Sequence, residues 1–185
     1  MSSYKIAVIV GSLRRGSFNR KLARALKKLA PAQLELTDLQ IDDLPPYNQD
    51  DDGNPAPQVK RLKAEVAASD GVIFVTPEYN RSIPGVLKNA IDHASRPYGK
   101  SVWAGKPAAV IGVSPGAVGT SLAQQHLRNI IAYLDMPTLG QPEAFVQHKD
   151  GLFDADGGIG EASRAFLQGW MDRYVALVEL HAAKG

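Results

Sequence analysis

The chain has 185 residues, 44% hydrophobic and 22% charged, enough to enclose one sizeable core and outside the low-hydrophobicity, high-charge regime of disordered chains. Its formal charge of +2, from 21 basic and 19 acidic side chains, is too balanced to supply the counterion release that drives non-specific nucleic-acid binding. With no cysteine there is no disulfide, no thiolate nucleophile, no cysteine-ligated zinc and no ordinary iron–sulfur cluster, so redox chemistry would need an organic cofactor and no metal centre is expected.

The first apolar run, Ile6–Val10, is too short for a signal segment or a membrane span and leads directly into Gly11 and Ser12. A cytoplasmic protein without a membrane partner is expected. Similar short runs rich in β-branched residues recur at Val72–Thr76 and Ala108–Val113, with Leu34–Leu36 weaker. Such runs are how strands buried on both faces of a parallel sheet read. Between them lie helical spacings: Leu22, Leu26 and Leu29; Val59, Leu62 and Val66; Leu87, Ala90, Ile91 and Ala94; Leu127, Ile130, Ile131 and Leu134. Asp42–Pro57 has turn and loop chemistry. A closing amphipathic helix is expected over Phe166, Trp170, Met171, Tyr174, Leu177 and Val178. The alternation implies a single domain over residues 1–185, an α/β doubly wound, five-stranded parallel sheet of flavodoxin-like order 2-1-3-4-5 with helices on both faces. Ligands of such sheets bind beyond the carboxyl ends of adjacent strands one, three and four.

Three loops follow those strands. Gly11–Asn19 runs into the first helix and reads as an anion cradle. Its glycines admit close backbone approach, the helix start adds partial positive charge, and Ser12, Arg14, Ser17 and Asn19 carry donors. Ser17 reads equally well as a helix cap. The segment is neither G-x-x-x-x-G-K-[ST] nor G-x-G-x-x-G, which weakens a triphosphate or dinucleotide reading. Thr76–Gly85, stiffened by Pro77 and Pro84, presents Tyr79 and backbone groups to a flat heteroaromatic ring, and Pro84 also marks a helix start. Ser114–Thr120 is built of small residues that leave room for a ring. One phosphate cradle and two ring-sized ledges describe a mononucleotide, and FMN fits.

The stretches Gly11–Asn19, Pro77-Glu78-Tyr79-Asn80, Ile83-Pro84-Gly85 and Leu87–Asp92 together resemble the NADPH-dependent FMN reductase family, most closely its bacterial chromate and quinone reductase members, over roughly Lys5–Leu134. The resemblance implies that Ser12, Leu13, Arg14, Arg15, Gly16, Ser17, Phe18 and Asn19 hold the FMN phosphate. It implies also that Pro77, Glu78, Tyr79 and Asn80 line the isoalloxazine, and that Ser114, Gly116 and Gly119 flank it. The implied donor is NADPH or NADH and the implied acceptors are quinones, azo compounds, chromate and other metal oxyanions. Ping-pong turnover would pass through the flavin with no catalytic side chain. The resemblance implies a homodimer or homotetramer with sites near subunit contacts, where Tyr98 or Arg96–Trp103 would meet a neighbour, Tyr98 doubling as a substrate contact. Arg81 stands where some members have tyrosine and His93 where tryptophan is common, differences that bear on acceptor choice. Arg81, Arg96 and Lys100 are candidates for a basic rim attracting anionic acceptors, with solvated surface charge the plainer reading. His93 is expected on the helix surface or at a subunit contact. The rival readings are a flavodoxin-type electron carrier and a flavin-free phosphate-binding protein.

Overall fold

A computed structural model describes residues 3–182. Strands β1 (Tyr4–Val10), β2 (Leu34–Asp38), β3 (Gly71–Val75), β4 (Ala108–Ser114) and β5 (Ala144–Gln147) form one sheet in the order β2-β1-β3-β4-β5, every neighbouring pair parallel. This is the flavodoxin-like order expected. Every residue of β3, the middle strand, is buried, whereas in the edge strand β2 only Leu34 is, which explains why one run is plain in the sequence and the other faint.

Alternate residues of each strand face opposite sides, and each side has its own core. Ile6, Val8, Ile73 and Val75 pack with Leu22 and Leu26 of α1 (Phe18–Leu29) and with Trp170, Met171, Tyr174 and Val178 of α5 (Glu161–Ala182). Ala7, Ile9, Val72, Phe74 and Val110 pack with Leu62 and Val66 of α2 (Pro57–Ala67), Leu87 and Ile91 of α3 (Gly85–Ser95), and Leu127 and Ile131 of α4 (Ser121–Tyr133). Phe166, at the start of α5, is 47% exposed instead of joining the core. The Tyr174 hydroxyl donates to the Pro107 carbonyl at 3.2 Å, and burial raises its pKa, so it stays a donor. Among the described residues no helix is long and apolar enough to cross a membrane.

The loop before α2 is fastened to α3. Asn89 accepts from Tyr47 N–H at 2.8 Å and donates to the Pro45 carbonyl at 2.9 Å, and His93 Nε2 lies 2.8 Å from the same oxygen. His93 is therefore no surface residue: it is 6% exposed, with Tyr47 edge-on to its ring. A carbonyl can only accept, so Nε2 carries the proton in this contact.

The register aligns the carboxyl ends but lets β4 overshoot. Val75 pairs with Ile111, β3 then ends, and β4 continues to Ser114 beside Gln147. Asn19 fills the missing partner's place: its Nδ2 donates to the Val113 carbonyl at 2.9 Å and its Oδ1 accepts from Val113 N–H at 3.0 Å. Both groups are buried, so Asn19→Leu, similar in size but without hydrogen bonds, should cost about 2–4 kcal/mol of unfolding free energy in urea. A change under about 0.5 kcal/mol would show that this pairing contributes nothing net.

Candidate functional site

Beyond the carboxyl edge the first loop is shaped almost entirely by its own backbone. Gly11 N–H donates to the Val75 carbonyl at 2.9 Å, continuing the sheet, and Ser17 N–H closes a turn on the Arg14 carbonyl at 3.1 Å. None of the backbone N–H groups of Ser12–Gly16 bonds to another described residue. The Ser17 hydroxyl caps α1 by accepting from Arg20 N–H at 3.2 Å, and the first turn of α1 contains no acid to offset its positive end. The Arg20 side chain braces the loop through a 3.0 Å bond from Nε to the Ser12 carbonyl. Leu13, Arg14, Arg15 and Gly16 are exposed, while Ser12 is buried. At the cradle's mouth Phe18 stacks on His148 with centroids 3.9 Å apart, and the Arg14 guanidinium lies 5.5 Å from the Phe18 centroid.

The second loop turns sharply at Tyr79–Ser82. Tyr79 and Ser82 exchange backbone bonds of 2.9 and 3.0 Å across Asn80 (φ 51°) and Arg81 (φ 66°). Both central residues are left-handed, as in a type I′ turn. Asparagine tolerates that conformation; arginine does so at a cost of roughly 1 kcal/mol. The turn pushes Tyr79 outward to 52% exposure.

In the third loop Gly119 has φ 61°, and a Cβ there would lie 2.7 Å from the Phe145 carbonyl carbon. Ser114 Oγ donates to the Gly119 carbonyl and holds the loop closed. Within β4, two residues before Ser114, a Cβ on Gly112 would collide with the Thr76 carbonyl and the Thr120 hydroxyl. A Cβ on Gly11 would press on Leu87 at 3.2 Å and on Pro77 at 3.4 Å. The first loop thus packs on Pro77 of the second, and the third packs on β5.

Ser12–Phe18, Pro77–Arg81, Ser114, Gly116 and Gly119 all lie at this edge. Two polar members are already engaged, however. The Asn19 amide is taken up by β4, and one oxygen of the Glu78 carboxylate, Oε2, accepts from Leu122 and Ala123 N–H at 3.0 and 3.1 Å, so both side chains serve the fold as well as standing at the edge. Tyr98, Arg96 and Lys100 do not join the cluster. They follow α3, whose 11 residues lead about 16 Å away from Arg81 and the loops, so Arg81 and Arg96 do not form a single rim. Tyr98 is 85% exposed. His148 was not legible in advance, because β5 is only four residues long with a mixed burial pattern. Locating that strand would have marked His148 as another carboxyl-end residue.

Sheet order and loops define a doubly wound α/β protein of the mononucleotide-binding class, with unpaired backbone donors beside two loops at the carboxyl edge. The model of the NADPH-dependent FMN reductase family matches residues 4–151. A 2-hydroxy-1,4-benzoquinone reductase from Burkholderia sp. is 53% identical over 175 residues, 94% of this chain and 96% of the relative. A quinone reductase from Pseudomonas putida is 50% identical, with 97% of each chain covered. The solved structure of FerB, a flavoenzyme NAD(P)H:(acceptor) oxidoreductase from Paracoccus denitrificans, superposes with TM-score 0.93 at 47% identity over 96% of this chain and 98% of its own. The chain belongs to the NADPH-dependent FMN reductase family, and is an NAD(P)H-dependent flavoenzyme with FMN as its cofactor.

The strain at Arg81 is measurable. Arg81→Gly should raise stability by about 1 kcal/mol in chemical denaturation, whereas Arg81→Ala should leave it nearly unchanged, since only glycine relieves the φ penalty. Equal effects of the two substitutions would remove the strain argument.

Proposed function

We propose that this chain is an NAD(P)H-dependent quinone reductase, with the FMN phosphate held by the backbone N–H groups of Ser12–Gly16 together with Arg14 and Arg15. The ring would lie between the Pro77–Asn80 and Ser114–Gly119 ledges. The observation that carries this reading is the row of five unpartnered backbone donors before an acid-free helix start, with two interlocked ledges beside it. That donor set suits a phosphate monoester, whose oxygens accept several hydrogen bonds at once. The names of the relatives support a quinone as acceptor.

When bound, FMN would supply the two-electron chemistry that couples NAD(P)H oxidation to reduction of a quinone to its hydroquinone, with a proton from solvent. The chain's residues supply position. The cradle fixes the phosphate end, the ledges set the tilt of the ring, and exposed Tyr79 and Val118 border the face on which donor and acceptor stack in turn. Backbone N–H groups of the ledges would stabilise the negative charge that reduction brings to the ring. Chromate, azo compounds and other metal oxyanions are proposed as further acceptors at this open face, with Arg81 attracting the anionic ones. Two or four copies are proposed to assemble, supported by exposed Tyr133 along α4 and by Tyr79 and Val118 at the site. A monomeric mass at micromolar concentration would overturn this.

The primary test is the visible spectrum of the FMN-loaded protein before and after NADPH under argon, then after a quinone. Bleaching within seconds followed by recovery of colour is expected. Bound flavin that stays yellow would refute the reductase reading and favour an electron carrier. Initial rates with both substrates varied should give parallel double-reciprocal lines, and intersecting lines would rule out the alternating cycle.

A further inference from the structure

The two ledges belong to different loops, and a ring can be gripped only if their separation is fixed. Each is weakly fastened by its own sequence. The Tyr79–Ser82 turn contains two left-handed residues, one of them strained. The α4 helix, which anchors the other ledge, lacks a local cap: Thr120 at the N-cap makes no side-chain capping bond, its Oγ1 accepting instead from Gln124 Nε2 at 3.0 Å, and the first turn has no acid.

The missing cap comes from 44 residues upstream. Glu78 Oε2 accepts from both Leu122 and Ala123 N–H, at 3.0 and 3.1 Å, placing a carboxylate at the positive end of the helix. At the far end of the same turn, Ser82 Oγ lies 3.0 Å from His126 Nδ1, one helical turn further along α4. Tyr79 and Asn80 are thus suspended between two attachments to a single rigid helix. A carboxylate oxygen used in this way orients the residues on either side of it.

We propose that Glu78 is a positioning residue: it locks the Tyr79–Asn80 ledge to the Ser114–Gly119 ledge through α4 and so sets the grip on the flavin ring, leaving the phosphate cradle untouched. The inference rests on the cofactor placement proposed above, and the test separates the two. Glu78→Ala, Glu78→Gln and Ser82→Ala are titrated with FMN and with riboflavin by flavin fluorescence, and with inorganic phosphate by the amide resonances of Ser12–Gly16. The visible band shape of bound flavin is recorded for each.

In Glu78→Ala, affinity for FMN and riboflavin should fall together by about tenfold or more, the loss of two charge-assisted bonds, with an altered flavin band and phosphate binding within about twofold of wild type. Glu78→Gln, whose amide oxygen still accepts, should recover most of the loss, and Ser82→Ala should show the same pattern more weakly. Unchanged flavin affinity and spectrum would overturn the proposal. An equal fall for all three ligands would do the same, making Glu78 a general brace of the fold. If Glu78→Ala does not fold, unchanged flavin affinity and spectrum in both other variants overturn it. A wild-type protein in which FMN leaves the Ser12–Gly16 resonances unmoved would instead refute the cofactor placement.

Discussion

The site depends on a small mismatch in the sheet: β4 runs past the end of β3, and the side chain of Asn19 stands in for the strand that has stopped. The next residues of β3 could not continue the ladder normally, since Pro77 has no N–H to donate. With Asn19 in that role, the first turn of α1 is anchored to a strand 94 residues away, and the loop before it spans two fixed points. Because its ends are pinned, the loop can leave its own N–H groups unpaired without collapsing onto them. The openness of the cradle is therefore produced by the rigidity of what flanks it.

The same logic governs the other two loops. Gly112 and Gly119 mark places where a Cβ would collide with Thr76 and Thr120 or with the β5 backbone, and Gly11 one where it would press on Leu87 and Pro77. Glycine serves contact here more than flexibility, and at Gly119 it serves a left-handed turn as well. The basic side chains around the cradle, Arg14, Arg15 and Arg20, are consistent with a local anion preference in a chain whose overall charge is nearly balanced.

Much of this was legible in the sequence, for reasons that also explain the rest. The strands Ile6–Val10, Val72–Thr76 and Ala108–Val113 are apolar on both faces, and burial on both faces requires that pattern, so sheet and order followed. β5 did not, because four residues with alternate burial carry too little pattern, and His148 was lost with it. Asn19 and Glu78 show a different limit. A polar side chain in a loop reads as a ligand group, and only its distances to other backbone reveal that it also satisfies groups of the fold, as both of these do. His93 was misread in the same way: a histidine on a helix gives no hint that Pro45, 48 residues earlier, will present a carbonyl to it. Arg81 and Arg96 look adjacent in the sequence, but an intervening helix carries them apart.

The double attachment of the Tyr79–Ser82 turn to α4 has a bearing on selectivity. A ledge tied at both ends to one helix is shaped before a guest arrives, so less binding energy goes into ordering it. On the cofactor placement proposed above, that fixed outline would be the template against which a planar guest is matched.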